Sequence, residues 1–316
     1  MSTAGWKRAG ISAVALAAVV GLAGCQDDGQ AGKKAGGEAA PKLKTQDRAG
    51  AARMLKAAYQ NTVDAKSAKV RMTMSMPAAA QGGEMEMSGT VGWDPSVLDM
   101  TMKPTGALKQ QGGGQAPEQI RMIMRDNVMY MDAGSAMAAK ADGKRWMKID
   151  LAEIAKAGGG AAAKQLTGGM DNANQDPSQQ IAMLLESPNL KHVGAENVEG
   201  VATQHYKGTL SVAEMLKTNK DVDRQLSGKE REELLANMNK AGIKGYDTDV
   251  WVDDKGYPAK MAIGMDSAQG RMNITMNYSD YGTKVSPAVP PAKDTVDFMK
   301  VLEELGKGAG GAPEGV

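Results

Sequence analysis

The sequence predicts an α+β domain built on a single antiparallel, strongly curved sheet of about eleven strands. Three observations predict it. Apolar and polar residues alternate with a period of two over long stretches, which is typical of strands with one buried face. These stretches follow one another through short turns, without the strand–helix alternation of a parallel sheet. Because strands twist, a sheet of this length curls, and we expect an unclosed barrel whose mouth is capped by helices.

A change in hydrophobic period marks the first helix and the first strands. Residues 47–65 carry apolar side chains at spacings of three and four, which predicts an amphipathic helix. After Ser67 the period becomes two, and this predicts the first half of the sheet. The predicted strands of this half are 70–76, 84–93, 98–103, 120–125, 128–132 and 145–149.

The sequence of residues 120–132 predicts how its two strands pair with each other. Its two-residue Asp-Asn turn places Met122 opposite Met131 and Met124 opposite Met129. All four methionines then share one face of the hairpin. A slip of one residue would divide them between the two faces, so the turn and the alternation predict the same pairing.

The second half combines a glycine-rich insertion with further hairpins. Residues 151–187 contain glycine and polar runs, with a short helix predicted at 178–185. The strands predicted after it are 190–197, 201–209, 248–253, 258–266 and 271–278. The helices predicted in this half are 211–217, 229–240 and a final helix at 295–305.

The N-terminus has the parts of a bacterial lipoprotein signal peptide. Lys7 and Arg8 precede an apolar segment at 11–22, and small residues lead into Cys25. The apolar segment is shorter than the roughly 20 residues that span a membrane. We therefore expect residues 1–24 to be cleaved and Cys25 to be the lipid attachment site, carrying acyl chains such as palmitate. The mature chain would then be anchored at the outer face of the cytoplasmic membrane.

The predicted domain, residues 47–305, lies between two polar ends. Residues 25–46 are rich in Gly, Ala, Lys and Gln, which predicts a disordered tether, and 306–316 predict a disordered tail. The full chain has a formal net charge of +1 and a single cysteine. The composition excludes an internal disulfide and a cysteine-based metal centre, and the near-neutral charge argues against nucleic acid as a partner.

Several short fragments follow one another in the order found in a known family. They are VMYM at 128–131, GKRWMKIDL at 143–151, VEGV at 198–201, HYKG at 205–208, VWVD at 250–253, GYP at 256–258 and NYSDYG at 277–282. With them the chain resembles the LolA/LppX/LprG-like envelope lipoproteins of the Gram-positive branch over most of 47–305. The resemblance implies an unclosed barrel around an apolar cavity that binds acyl chains of lipids, lipoglycans or lipoproteins. This chain departs from the family by carrying methionine where the family has an aromatic and aliphatic lining.

Methionine dominates the predicted inner face, because the chain has 24 Met and a single Phe. Methionine is flexible and fills irregular space, but it specifies a tight packing poorly. We therefore expect a cavity that binds acyl chains or other hydrophobic ligands. The predicted lining residues are Met72, Met74, Met85, Met87, Met100, Met102, Met122, Met124, Met129, Met131, Met261, Ile263, Met265, Met272 and Met276.

Other interpretations of the methionine face remain open. A methionine stripe on a strand can be plain core, and the fold also suits an envelope sensor that docks a protein partner. Exposed thioethers can scavenge oxidants. Thioethers also bind Cu(I), and Met-x-Met pairs put two sulfurs on one strand face. Because these pairs are spread over many strands, we predict no metal site and no cofactor.

No residue pattern in the sequence predicts catalysis. The sequence lacks a Gly-x-Ser-x-Gly elbow, P-loop spacing and the spaced acids of a calcium loop. The two histidines, His192 and His205, are predicted to share one hairpin face with Glu196, where they could form a two-His, one-Glu metal site. Their polar neighbours favour solvated surface histidines instead. We expect a binding protein rather than an enzyme.

Overall fold

The fold, obtained as a computed structural model, describes residues 46–80, 82–105, 118–132, 134–139, 141–156, 176–218 and 227–301. These residues belong to one unit, Leu43–Val316. The predicted signal peptide, Cys25, the predicted tether up to residue 45 and the predicted tail lie outside the described residues.

The described residues form one sheet of twelve strands. The strands are β1 Ser67–Met76, β2 Gly83–Trp93, β3 Ser96–Pro104, β4 Ile120–Arg125, β5 Val128–Asp132, β6 Trp146–Asp150, β7 Lys191–Val198, β8 Val201–Ser211, β9 Gly245–Asp253, β10 Pro258–Ser267, β11 Gly270–Ser279 and β12 Thr295–Asp297. Their spatial order is β12-β6-β5-β4-β3-β2-β1-β11-β10-β9-β8-β7. The strands at the two ends do not pair with each other, so the predicted unclosed sheet is confirmed.

At the edge of the sheet formed by β12, two expectations were wrong: that all strands are antiparallel, and that residues 295–305 form a helix. Residues 295–297 form a twelfth strand instead of starting the predicted helix, and this strand pairs in parallel with β6. The Asp297 carboxylate accepts a hydrogen bond from the backbone N–H of Met299 at 3.0 Å, so helical conformation begins only at residue 298. A carboxylate in this position stabilises the start of a helix, and the residues before it are left free to pair.

Besides the helical segment that begins at residue 298, the described residues contain six α-helices. They are α1 Arg48–Ala65, α2 Gly134–Ala138, α3 Leu151–Lys156, α4 Pro177–Glu186, α5 Val212–Thr218 and α6 Gly228–Lys240. α1 begins after Asp47, whose carboxylate accepts from the N–H of Gly50 at 2.7 Å. α4 packs against α1 and against strands β8 and β9, whereas α5 packs against β8, α4 and α6. Helix α1 in turn contacts α4 and strand β7.

The predicted register of the β4–β5 hairpin is confirmed. Met122 pairs with Met131 and Met124 with Met129. Asp126 has φ +54° and the following asparagine has φ +61°, which is the backbone of the two-residue turn that matches the twist of the flanking strands.

Part of the inner face is closed by helices α1 and α4. Their side chains Leu55 and Leu184 are fully buried, and they belong to the same core cluster as Tyr206 of β8, Val250 of β9 and Met261 of β10. This contact covers the end of the sheet formed by β7 to β10, and the same cluster continues to buried residues of β1 and β3.

Gly208 allows helix α4 to approach the sheet closely. A Cβ atom at this position would lie 2.5 Å from Ser187 Oγ and 2.7 Å from Leu184 Cδ1. Ser187 cannot easily turn away, because its hydroxyl donates to Asn189 Oδ1 at 2.7 Å and lies 2.9 Å from the carbonyl oxygen of Thr209. Even one methyl group would therefore push the helix outward.

We expect Gly208→Ala to lower the free energy of unfolding by about 1–3 kcal/mol, the usual cost of overpacking. Gly228→Ala is the matched control, because a Cβ there meets nothing within 4 Å. Urea unfolding measures both variants. Equal stability of the two variants would contradict the close approach of α4.

Candidate functional site: a methionine-lined cavity

Where the described helices leave the inner face uncovered, it encloses a cavity of about 300 Å³. Among the described residues of its wall, Gln180, Tyr278 and Trp93 carry polar side-chain groups, and the others are apolar. The lining residues are Ala68, Val70, Met72, Met74, Met87, Val91, Trp93, Leu98, Met100, Met122, Pro177, Gln180, Ile263, Ile274, Met276 and Tyr278. Strands β1 to β4, β10 and β11 supply most of the wall, and the first turn of α4 closes one side.

The cavity exists because the sheet is strongly curved. Met122 lies on β4 and Ile263 on β10, five strand spacings apart in the sheet order. In a flat sheet this separation would be about 24 Å. Both side chains nevertheless line the same small cavity, so the strands between them wrap around it.

A row of methionines crosses the inner face in direct register. Met261 pairs with Met276, Met276 with Met72, Met72 with Met87, and Met87 with Met102. The three in the middle of the row line the cavity. Met261 is fully buried in the core, at one end of the row.

The predicted lining residues divide into two groups. Those in the wall are Met72, Met74, Met87, Met100, Met122, Ile263 and Met276. Those of the predicted set that lie outside it are Met85, Met102, Met124, Met129, Met131, Met261, Met265 and Met272. The alternation of side chains predicts which face a residue occupies, but not which part of that face a helix covers. For this reason Met124 and Met261 are core residues.

Sequence reasoning missed the aromatic and helical members of the wall. Trp93 and Tyr278 lie on the same alternating strands as the methionines, so their spacing carried the signal. Pro177 and Gln180 enter from helix α4. Their position depends on how that helix docks, which local sequence does not predict.

Tyr278 supplies a hydroxyl to the wall of the cavity. This hydroxyl donates to Met276 Sδ at 3.2 Å. Burial raises the pKa of Tyr278 above its ordinary value of 10, and the negative charge of Asp176 acts in the same direction. The phenol therefore stays neutral near pH 7 and acts as a hydrogen-bond donor.

The two histidines do not share a face, contrary to the sequence prediction. The register of the β7–β8 hairpin shifts between His192 and Gly194. This irregularity pairs His192 with Tyr206, on the inner face, and leaves His205 on the outer face opposite Trp251. Both histidines are buried, at 5% and 8% exposure, rather than solvated.

His205 is held by two carboxylates and an indole. Its Nδ1 lies 2.8 Å from Glu196 Oε1, and its Nε2 lies 2.7 Å from Asp249 Oδ1. Its ring stacks on Trp251 with centroids 4.2 Å apart, and Lys260 Nζ lies 4.3 Å from the Trp251 ring centroid. Both imidazole nitrogens thus lie within hydrogen-bond distance of carboxylates.

Within the part of the chain that the structure describes, no cluster of three His, Cys, Asp or Glu residues could hold a metal ion. The contacts around His205 join β7, β8 and β9 on the outer face of the sheet.

Comparison with known proteins places the chain among relatives from Streptomyces. No family model matches it. An uncharacterized 31.2 kDa protein of Streptomyces griseus, from the rplA–rplJ intergenic region, is 35% identical over 261 residues, which are 80% of this chain and 80% of that protein. A Streptomyces coelicolor protein whose name describes a lipoprotein is 27% identical over 247 residues, 77% of this chain and 73% of that protein.

Two solved structures are similar to the chain at low sequence identity. LprF from Mycobacterium bovis is 15% identical, with 77% of this chain and 97% of that chain covered and a TM-score of 0.44. The Mycobacterium tuberculosis lipoprotein LppX is 12% identical, with 76% of this chain and 99% of that chain covered and a TM-score of 0.41.

Among the described helices, none has the length and apolar character needed to cross a bilayer.

The described residues form an open, curved sheet with helices against its inner face. The chain belongs to the family of the Streptomyces griseus protein.

The cluster around His205 predicts a pH-dependent stability. Trp251 Nε1 donates to Glu196 at 2.6 Å and lowers the pKa of that carboxyl below its ordinary value of 4.5, with His205 and Lys260 adding to the effect and desolvation opposing it. Because the pKa is lower in the folded state, the stability gained from Glu196 is present above pH 4.5 and is lost as the pH falls through the folded pKa.

We expect the stability difference between wild type and Glu196→Gln to shrink as the pH is lowered from 7 to 3. Urea unfolding at several pH values measures it. Glu232→Gln, on an exposed position of α6, should follow the wild type across the range. If the difference in free energy of unfolding between wild type and Glu196→Gln stays constant with pH, the charge of the Glu196 carboxylate does not stabilise the fold.

Proposed function

We propose that the protein binds an acyl chain in the methionine-lined cavity and carries the lipid in the cell envelope. The single observation that carries this proposal is an apolar cavity of about 300 Å³ on the concave face of the sheet. A volume of this size lies at the lower end of the range of small-ligand pockets.

The size of the cavity suits one chain rather than several. If a methylene group occupies about the volume of a water molecule in the liquid, roughly 30 Å³, the cavity holds about ten carbon atoms. Each buried methylene contributes about 0.8 kcal/mol. A chain of this length is therefore bound by apolar burial alone, without a charged partner in the wall.

The division of the inner face favours a binding cavity over plain core. Where helices α1 and α4 cover the sheet, the core is filled by Leu, Tyr, Val and Met261. In the wall of the cavity, Met72, Met74 and Met87 remain only partly buried. Met100 and Met276 of the same wall are buried. Flexible thioether side chains can adapt to chains of different shape.

The proposed carrier works at the membrane surface and performs no chemistry of its own. In this proposal Cys25 is acylated, the chain is tethered to the outer face of the cytoplasmic membrane, and the ligand is a lipid, lipoglycan or lipoprotein acyl chain. The proposal requires no cofactor. It rests on the N-terminal sequence, on the lipoprotein relatives and on the apolar wall.

We expect Met87→Lys to abolish uptake of a fluorescent acyl-chain probe, because it places a charged amine in the apolar wall. Met54→Lys is the matched control, since Met54 is 39% exposed on helix α1. The measurement is a titration of the mature chain, with Cys25→Ser to remove the anchor, together with native mass spectrometry for a lipid that co-purifies.

Circular dichroism checks that the variants fold. If Met87→Lys fails to fold, Met74→Trp fills the cavity without adding charge and should also reduce uptake. A folded wild-type chain that takes up no acyl chain and carries no lipid from its own envelope would refute the proposal.

A further inference from the structure

We propose that Met72, Met87 and Met276 form a binding site for a soft monovalent cation, Cu(I), in the wall of the cavity. The inference does not depend on the acyl-chain proposal. It uses the one property that separates methionine from leucine, which is the lone pairs of the thioether sulfur.

The three residues lie side by side on adjacent strands. Met276 of β11 pairs with Met72 of β1, and Met72 pairs with Met87 of β2. Directly opposed side chains have Cβ atoms about 4.5–5.5 Å apart. All three line the same cavity on the concave face of the sheet.

This geometry removes the objection that the sequence raised against copper. Along the chain, the Met-x-Met pairs are scattered over many strands. The curvature of the sheet gathers six methionines around one cavity of about 300 Å³. The central row contributes three consecutive members without an interruption by another residue type.

The chemistry of the wall selects the cation. Among the described residues that line the cavity there is no carboxylate, imidazole or thiol. Hard divalent ions such as Mg²⁺ and Ca²⁺ need oxygen ligands, so this wall offers them little. Thioethers are soft, neutral ligands that suit Cu(I). A single positive charge also costs less to bury than a double one.

Tyr278 acts as a positioning residue for one ligand. Its hydroxyl donates to Met276 Sδ at 3.2 Å, which restricts the orientation of a flexible side chain. A thioether sulfur has two lone pairs, so the second one stays available to a cation.

The test is an anaerobic titration of the mature chain with Cu(I) in competition with a chromogenic Cu(I) chelator. Cys25→Ser removes the only thiol. We expect one equivalent to bind, with a sulfur-only first shell in X-ray absorption. Ag(I), a soft monovalent ion that does not change oxidation state, should compete for the same site.

Leucine substitutions remove the sulfurs while keeping the apolar volume, a change that cores tolerate well. We expect each of Met72→Leu, Met87→Leu and Met276→Leu to weaken binding at least about tenfold, since even partners of metal ligands contribute that much. The triple variant should lose the stoichiometric site.

The matched control is the triple variant Met131→Leu, Met265→Leu and Met272→Leu, which removes the same number of sulfurs from outside the wall. It should bind Cu(I) like the wild type. Tyr278→Phe alone should weaken Cu(I) binding by about tenfold. Added to the Met72/Met87/Met276 triple variant, it should restore no binding. Equal losses in the two triple variants, or stoichiometric binding by the Met72/Met87/Met276 variant, would overturn the proposal.

The experiment can refute the cation site without refuting the acyl-chain proposal. The Cu(I) titration is made without an acyl-chain probe, so its outcome does not depend on lipid uptake. Loss of stoichiometric Cu(I) binding in the Met72/Met87/Met276 triple leucine variant, with binding retained in the Met131/Met265/Met272 variant, supports the cation site. Stoichiometric binding by the Met72/Met87/Met276 variant refutes the cation site and leaves the lipid cavity standing.

Discussion

The apolar inner face of a curved sheet has to be kept out of water, and among the described residues of this protein two helices cover only part of it. Over β8, β9 and β10, the side chains of α1 and α4 interlock with the sheet so closely that Tyr206 is fully buried. Over β1, β2 and β3, the described residues leave a cavity instead. The position of α4 therefore determines where the core ends and where the candidate site begins. Gly208 lies at this boundary, because its missing side chain permits the approach of the helix.

The outer face supports the same curvature by polar contacts. Arg71 on β1 forms an ion pair with Glu199 at the tip of the β7–β8 hairpin, although β11, β10 and β9 lie between β1 and β8 in the sheet. The hairpin therefore bends over the convex side. The Arg71 pair is exposed and contributes little by itself, so the buried His205, stacked on Trp251 and held by two carboxylates, is the stronger attachment. This cluster resembled a metal site in sequence because it brings together residue types that also bind metals.

Local patterns predicted the part of the fold that depends on local physics. The alternation of side chains and the two-residue turn before Val128 agree on one register, and the structure has it. The parallel strand at 295–297 escaped prediction because its pairing with β6 joins segments far apart in sequence. The irregularity at Val193 escaped because one extra residue inverts a face without changing the composition. The extent of the cavity could not be predicted, since it is set by the docking of α4, and the residues that precede that helix carry no periodic signal.

Apolar burial alone does not explain why methionine is so frequent in the wall of the cavity. Leucine would bury a similar area and would pack with fewer rotamers, so a wall built only to exclude water has no need of sulfur. Two properties remain specific to methionine, the flexibility of an unbranched side chain and the lone pairs of the thioether. Flexibility acts at every position of the wall alike, whereas coordination requires that sulfurs meet. Met276, Met72 and Met87 lie side by side because three adjacent strands carry methionine at the same level of the sheet. An adaptable wall could have placed its methionines in any register, so this alignment is the feature that flexibility leaves unexplained.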